Sequence, residues 1–270
     1  MPVTGEARGA VVVTGAAGGI GAAVAAAFAA RSAPIALLDH DPAVHAVRAR
    51  LAAEYPDAES HSAIVDVTDR DAVDGAFDEA IATLGPPSVV VHAAGVIQTG
   101  PVAELTARQW DRVFGVNATG TVNVTRRAAD DLVTAGGGAL VVITSNAAST
   151  PRAGMAAYCA SKAAAAAFSR SLGLEVAQHG VRVNLVSPGS TDTPMLRGMH
   201  AGDTGGDELT AAARERLLAG EPERFRLGIP LQRVAHAADV AEAVLFLASD
   251  AACHITLHDL RIDGGATLDM

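Results

Sequence analysis

The sequence predicts an α/β fold: one domain over residues 1–270, built as a doubly wound parallel sheet of about seven strands with helices on both faces. Two observations carry this. Short β-branched apolar runs alternate with longer alanine-rich stretches of helical period. Of the 270 residues, 50% are hydrophobic and only 3% aromatic, which suits small-residue helices packed closely on a valine-rich sheet. No composition break divides the chain.

Taken in order, the strand candidates are 10–14, 35–38, 63–67, 89–92, 139–144, 181–186 and 260–262. Helical patterns fall between them at 20–30, 70–84, 110–135, 157–178 and 237–248. This βα rhythm gives parallel neighbours, because each helix carries the chain back across the sheet. One stretch breaks the rhythm. Leu196 to Gly228 is polar and punctuated by Gly198, Gly202, Gly205, Gly206 and Gly220, with a helical middle at 208–219. It follows a strand's C-terminal end, where such sheets hold ligands, so it is expected to be a substrate lid.

A formal charge of −10 argues against nucleic acid or an anionic membrane surface as partner, since both attract basic patches. A small-molecule ligand is expected. Residues 1–9 lack a cationic start followed by an apolar core, and no apolar run approaches the roughly 20 residues of a membrane span, so a cytoplasmic protein is expected. The two cysteines, Cys159 and Cys253, form no CxxC pair and accompany no spaced His/Cys cluster. No disulfide and no metal site are expected.

The first strand runs directly into Gly15, Ala17, Gly19, Ile20 and Gly21 and then an alanine-rich helix. Glycines let the backbone approach a pyrophosphate, and a helix N-terminus offers free N–H groups and a positive dipole end. The spacing departs from GxGxxG, yet the strand–turn–helix context is that of a Rossmann-type dinucleotide site. The second strand leads into Asp39, placed to accept hydrogen bonds from the adenosine ribose and to repel a 2′-phosphate. With no arginine beside it, Asp39 favours NAD over NADP. Asp66, before Val67 at the end of the third strand, is expected at the adenine.

Tyr158 and Lys162 are spaced i, i+4 and share one face of a helix. Bringing a tyrosine from its usual pKa to near 7 takes about 4 kcal/mol. A cation ~4 Å away at an effective dielectric near 20 supplies an amount of that order. Lys162, helped by a cationic nicotinamide, can therefore make Tyr158 a working base. Ser145, after the fifth strand, is placed to hold a reacting oxygen.

With these residues in view the chain resembles the short-chain dehydrogenase/reductase family over nearly its whole length. The matching features are Thr14-Gly15-xxx-Gly19-Ile20-Gly21, Ala93-Ala94-Gly95, Val116-Asn117, Ser145, Tyr158-xxx-Lys162 and Pro188-Gly189-Ser190-Thr191-Asp192-Thr193. The resemblance implies Tyr158 as acid/base, Ser145 on the substrate oxygen and Lys162 on the nicotinamide ribose. It assigns Asn117 to a water-mediated proton path and Ala94, Gly95, Pro188, Gly189, Thr191 and Thr193 to the cofactor. It also implies a homotetramer, with the helix 157–178 and the segment 255–262 offering apolar faces. His92-Ala93 stands where the family commonly reads Asn-Asn, and His92 is expected to be a strand-end packing residue.

The stretches 145–158, 225–231 and 254–267 are similar to the subgroup that oxidises cyclic diene carboxylates of the 2,3-dihydro-2,3-dihydroxybenzoate type in catechol siderophore pathways. That likeness implies a dehydrogenation driven by aromatisation, and it leaves open the analogue with an amine in place of one hydroxyl, trans-2,3-dihydro-3-hydroxyanthranilate. A carboxylate calls for an arginine fork. Arg152 is the candidate, with Arg197 second. Gln98, where the subgroup carries an arginine nearby, and Met195 are expected at the substrate.

Overall fold

The valine-rich strand β1 (Ala10–Thr14) is buried along its whole length because it has a parallel neighbour on each side, β2 (Ile35–Asp39) and β4 (Pro87–His92). Beyond β4 lie β5 (Gly138–Ile143), β6 (Val181–Pro188) and β11 (Asp259–Ile262), and beyond β2 lies β3 (Ser60–Ile64). All pairings in this seven-stranded sheet are parallel, in the order β11-β6-β5-β4-β1-β2-β3. The computed structural model describes residues 9–200 and 208–268. Nearly all of the amino-terminal stretch, and the lid glycines Gly202, Gly205 and Gly206, lie outside the described residues. Among the described residues no helix is long and apolar enough to cross a membrane.

Two-residue periodicity sends alternate side chains to opposite faces of the sheet. Val11, Val13, Ile35, Leu37 and Val91 pack under α1 (Gly19–Ala29), α2 (Ala43–Glu54) and α9 (Ala237–Ala248). Val12, Leu38, Val90, Leu140 and Val142 pack under α3 (Arg70–Leu84), α5 (Gly120–Thr134) and α6 (Ala156–Val176). Both faces are therefore core, which is why the strands read as continuous apolar runs.

Three elements depart from the sequence reading. The third strand is Ser60–Ile64 rather than 63–67, so Asp66 and Val67 lie past its end. As the sheet's edge it pairs with β2 alone, and the polar run Ser60-His61-Ser62 suffices there. The helix expected at 110–135 is divided into α4 (Ala107–Phe114), a π-helical turn (Gly115–Thr119) and α5. Helix α2 was not among the expected patterns because only Val44 and Leu51 are buried along it, too few to mark a period. Its start is nevertheless signalled by Asp41, whose Oδ1 accepts from the Ala43 N–H at 2.9 Å.

The segment expected as a lid carries α7 (Pro194–His200) and α8 (Ala211–Ala219), the latter three residues shorter at its start than predicted. Thr210 ends the extended approach to α8 by accepting from the Ala213 N–H. Two-residue ladders brace the region: β7 (Thr191–Asp192) with β10 (Ala235–His236), and β8 (Gly220–Glu221) with β9 (Arg226–Leu227). Leu196, Leu209, Ala213, Leu217, Ile229 and Val234 form a separate small core with Ala266. The described part of the segment is thus packed against the main domain through its own apolar contacts.

Candidate active site

Strand order reverses between β1 and β4, and ligands bind such sheets in the crevice at the carboxyl ends of the strands flanking that point. A cleft of about 1910 Å³ opens there. Gly15 turns the chain at φ +70°, and a Cβ on it would stand 2.6 Å from the Ala94 nitrogen, so the loop requires glycine. Helix α1 starts with no side-chain cap, which leaves its first-turn N–H groups available to an anion. The Asp39 carboxylate stands beside them, accepting from the Ala17 N–H at 2.8 Å and the Asp41 N–H at 2.9 Å. Asp66, Val67, Ala94, Gly95 and Thr193 line the same cleft with Gly15, Ala17, Gly19, Ile20, Gly21 and Asp39. Uncapped helix donors, a turn that admits no Cβ and a carboxylate at the ribose end fit a dinucleotide.

The cleft continues into an inner pocket of about 1040 Å³, the two sharing Ile20, Ala93, Gly95, Thr193 and Met195. Ser145, Tyr158 and Lys162 line this pocket, as do Pro188, Gly189 and Thr191. The i, i+4 spacing on α6 does bring Tyr158 and Lys162 to one buried face, at 8% and 5% exposure. The Lys162 amine donates to the Ile143 carbonyl at 2.9 Å, and burial pulls its pKa down to about 8. Burial pushes the Tyr158 hydroxyl up, and a hydrogen bond with Ser145 opposes that. Ser145 in turn accepts from the Ala147 N–H at 3.1 Å as it starts a short 3₁₀ turn.

Asn117 sits in the π turn, fully buried. Its amide closes a two-way pair with Val96, accepting from N–H and donating to C=O, both at 2.8 Å, and donates to Ser161 Oγ at 3.0 Å. Gly95 lies between the two polar groups: a Cβ there would be 3.2 Å from Lys162 Nζ and 3.3 Å from Asn117 Oδ1. The inserted residue of a π turn is a common device for aiming a side chain inward.

His92 proves to be more than packing. Its Nδ1 meets Thr14 Oγ1 at 2.8 Å and its Nε2 meets Thr121 Oγ1 at 3.1 Å. Thr121 donates to the Asn117 carbonyl at 2.6 Å, so it must accept from Nε2–H, and Thr14 must then donate to Nδ1. A neutral imidazole thus ties the glycine loop to the π turn. Burial, with the Lys162 charge adding to it, lowers the His92 pKa to about 3.

The expected substrate residues separate. Arg152 and Met195 line the inner pocket. Arg197 does not: its Nε bonds Asp192 Oδ1 at 2.7 Å, because the two stand five residues apart where the chain enters α7. Gln98 also stays outside, donating to the Thr99 carbonyl at 2.9 Å and lining a separate hollow, while its neighbour Ile97 faces the pocket. The residue missed by sequence reasoning is Arg226, which lines the inner pocket from β9. Its one sequence signal was its place in the 225–231 stretch, to which no chemistry was attached.

Oxidising or reducing a carbon centre with a dinucleotide requires a cofactor groove and a proton-handling group in one continuous cavity, and the five shared lining residues join them here. The class so defined is the nicotinamide-dependent oxidoreductases. A family model described as Enoyl-(Acyl carrier protein) reductase matches residues 15–267. The chain is 42% identical over 257 residues to a 2,3-dihydro-2,3-dihydroxybenzoate dehydrogenase of Bacillus subtilis (strain 168), covering 95% of each protein. It is 40% identical over 258 residues to the enzyme of that name in Escherichia coli (strain K12), covering 96% of each. Among solved structures, levodione reductase superposes with a TM-score of 0.86 at 25% identity, covering 95% of this chain and 96% of that one. A dehydrogenase/reductase from Sinorhizobium meliloti 1021 does so with a TM-score of 0.83 at 31% identity, covering 98% of each. The chain belongs to the short-chain dehydrogenase/reductase family.

Proposed function

We propose that the protein is an NAD-dependent dehydrogenase that oxidises 2,3-dihydro-2,3-dihydroxybenzoate to 2,3-dihydroxybenzoate. The observation that carries the reading is one cavity holding both the Ser145–Tyr158–Lys162 group and the guanidinium of Arg152, in a chain 40–42% identical to enzymes of that name. Tyr158 takes the proton of the ring hydroxyl being oxidised, while Ser145 holds that oxygen. When bound, oxidised nicotinamide supplies the acceptor for the hydride leaving the carbinol carbon and adds positive charge to the site. The resulting ring ketone tautomerises to the aromatic diol, so the net change is loss of two hydrogens as one hydride and one proton. Burial alone holds Tyr158 protonated; the Ser145 hydrogen bond and added cationic charge favour the phenolate.

Lys162 holds the ribose at the nicotinamide end and keeps a positive charge next to the pocket. The Asn117 side chain is taken by Val96 and Ser161, so its contribution to a proton path comes through the second lone pair of its backbone carbonyl, the first accepting from Thr121. Pro188, Gly189, Thr191 and Thr193 wall the nicotinamide end, and Asp39 selects NAD by repelling a 2′-phosphate. Arg152 binds the substrate carboxylate. Its guanidinium makes no ion pair within 4 Å among the described residues: it donates to Thr267 Oγ1 at 3.4 Å, and the Asp263 carboxylate acts on it only at longer range. The reading extends to a cytoplasmic homotetramer, and the exposed Leu174 on α6 supports assembly.

The test is NADH formation with 2,3-dihydro-2,3-dihydroxybenzoate and with trans-2,3-dihydro-3-hydroxyanthranilate, each with NAD and NADP. Turnover of the diol acid with NAD is expected to dominate. Preference for the amino acid, or for NADP, would overturn the substrate or the cofactor assignment respectively.

A further inference from the structure

A second hollow of about 1090 Å³ adjoins the inner pocket and shares Arg152, Met155, Met199 and Arg226 with it. Among the described residues its charged lining is four arginines, Arg152, Arg216, Arg224 and Arg226, against the single carboxylate of Glu221. In a chain of net charge −10 this is a local concentration of positive charge, and it adjoins the pocket that holds Tyr158. Glu221 does not neutralise it. One oxygen lies 3.3 Å from Arg224 and the other 3.6 Å from Arg226, leaving Arg152 and Arg216 with no ion pair among the described residues.

Arg226 is held as a pocket residue rather than left as a surface chain. The β8–β9 ladder places it directly opposite Glu221, and its Nη2 donates to Ser190 Oγ at 3.0 Å. Two half-buried guanidiniums facing one cavity repel each other, and both are pushed down by burial, Arg226 also by the charge of Arg152. An anion between them relieves both costs. Ile97, Leu196 and Ile229 add apolar lining to the inner pocket, which suits a ring.

We propose that Arg226 is the second jaw of a carboxylate clamp with Arg152, and that Arg216 and Arg224 form a cationic mouth drawing ring monocarboxylates toward it. This rests on the reading of the reaction given above and adds a specificity-determining residue to it. The clamp selects acids over their carboxyl-free analogues, and the mouth raises the rate of encounter in a salt-dependent way.

The experiment compares wild type, Arg226→Gln, Arg226→Lys and Arg152→Gln on two substrates, 2,3-dihydro-2,3-dihydroxybenzoate and 3,5-cyclohexadiene-1,2-diol, which lacks the carboxyl group. Alongside, binding of 2,3-dihydroxybenzoate and of catechol to each protein with NADH is titrated by cofactor fluorescence. Arg226→Gln is expected to lower the ratio of kcat/KM for the acid over the neutral diol by about tenfold or more, through KM, as loss of charge-assisted hydrogen bonds predicts. Arg226→Lys, which keeps the charge but loses the fork, should fall between. An unchanged ratio with normal wild-type turnover of the acid would remove the clamp and leave the reaction standing. If wild type oxidised neither diol yet bound 2,3-dihydroxybenzoate over catechol in an Arg226-dependent manner, the clamp would stand and the reaction would fall. Equal losses on acid and neutral ligands with a lowered thermal midpoint would show Arg226 to be structural only and overturn the proposal. For the mouth, the Arg216→Gln/Arg224→Gln double variant should flatten the decline of kcat/KM for the acid with added salt; an unchanged slope would remove that half.

Discussion

Tyr158 is buried with a hydroxyl whose environment, taken without further charge, resists ionisation. Its direction of shift places the oxidation optimum on the alkaline side of neutrality, since the phenolate must form for the proton to be taken. Tyr158→Phe keeps the ring and its packing and removes only the proton carrier, so kcat should fall by about 10²- to 10⁴-fold while NAD affinity, read by calorimetry, is retained. Near-normal turnover in that variant would rule out the mechanism. His92 makes a prediction about stability instead. Its folded pKa of about 3 lies below the ordinary 6.5, so the unfolded chain binds the extra proton. Its contribution is complete above 6.5 and is lost as pH falls toward 3. Between pH 7.5 and 5 the loss should be about 2 kcal/mol. In His92→Asn, whose amide can still donate and accept, urea unfolding at the two pH values should show a correspondingly smaller difference.

At the scale of elements, the chemistry depends on where chain segments end. The carboxyl end of β2 delivers Asp39 to the loop that opens α1, where it holds the Ala17 N–H and keeps its charge at the cleft. Asp39→Asn removes the charge at almost unchanged size. The ratio of kcat/KM for NAD over NADP should drop at least about tenfold, the effect of ~1.4 kcal/mol, measured by initial rates with each cofactor. The glycine loop, the acid closing the second strand and the Tyr158–Lys162 spacing were legible because each is a local pattern within a few residues. The break of the 110–135 helix was not, because an inserted residue in a helix leaves the apolar period almost intact while rotating Asn117 toward Gly95 and Lys162. The displaced β3 was misread for a related reason: an edge strand needs less apolar character than the run Ala63 to Val67 that overlaps its end, and periodicity alone chose the more apolar residues.

For the whole molecule, ligand binding and assembly are the measurable consequences. NAD binding to the folded state alone should stabilise it by about 2.7 kcal/mol at a hundred times its Kd. That is seen as a rise in thermal midpoint that NADP reproduces only weakly. Sedimentation equilibrium should give a mass about four times the 27.2 kDa of one chain; a monomer at all concentrations would remove the proposed tetramer and return the exposed Leu174 to an ordinary surface residue. By itself the sequence determined the parallel sheet, the dinucleotide loop, the acid at the end of the second strand and the paired tyrosine and lysine, because each follows from backbone geometry or from spacing along one element. Only the tertiary structure decided that Arg197 turns to Asp192, that Gln98 faces away, that His92 bridges Thr14 to Thr121, and that Arg226 arrives beside Arg152. The last two join residues distant in the chain and are set by how layers pack, while the first two depend on which way a side chain turns once its own segment is in place; no local pattern of residue types encodes either.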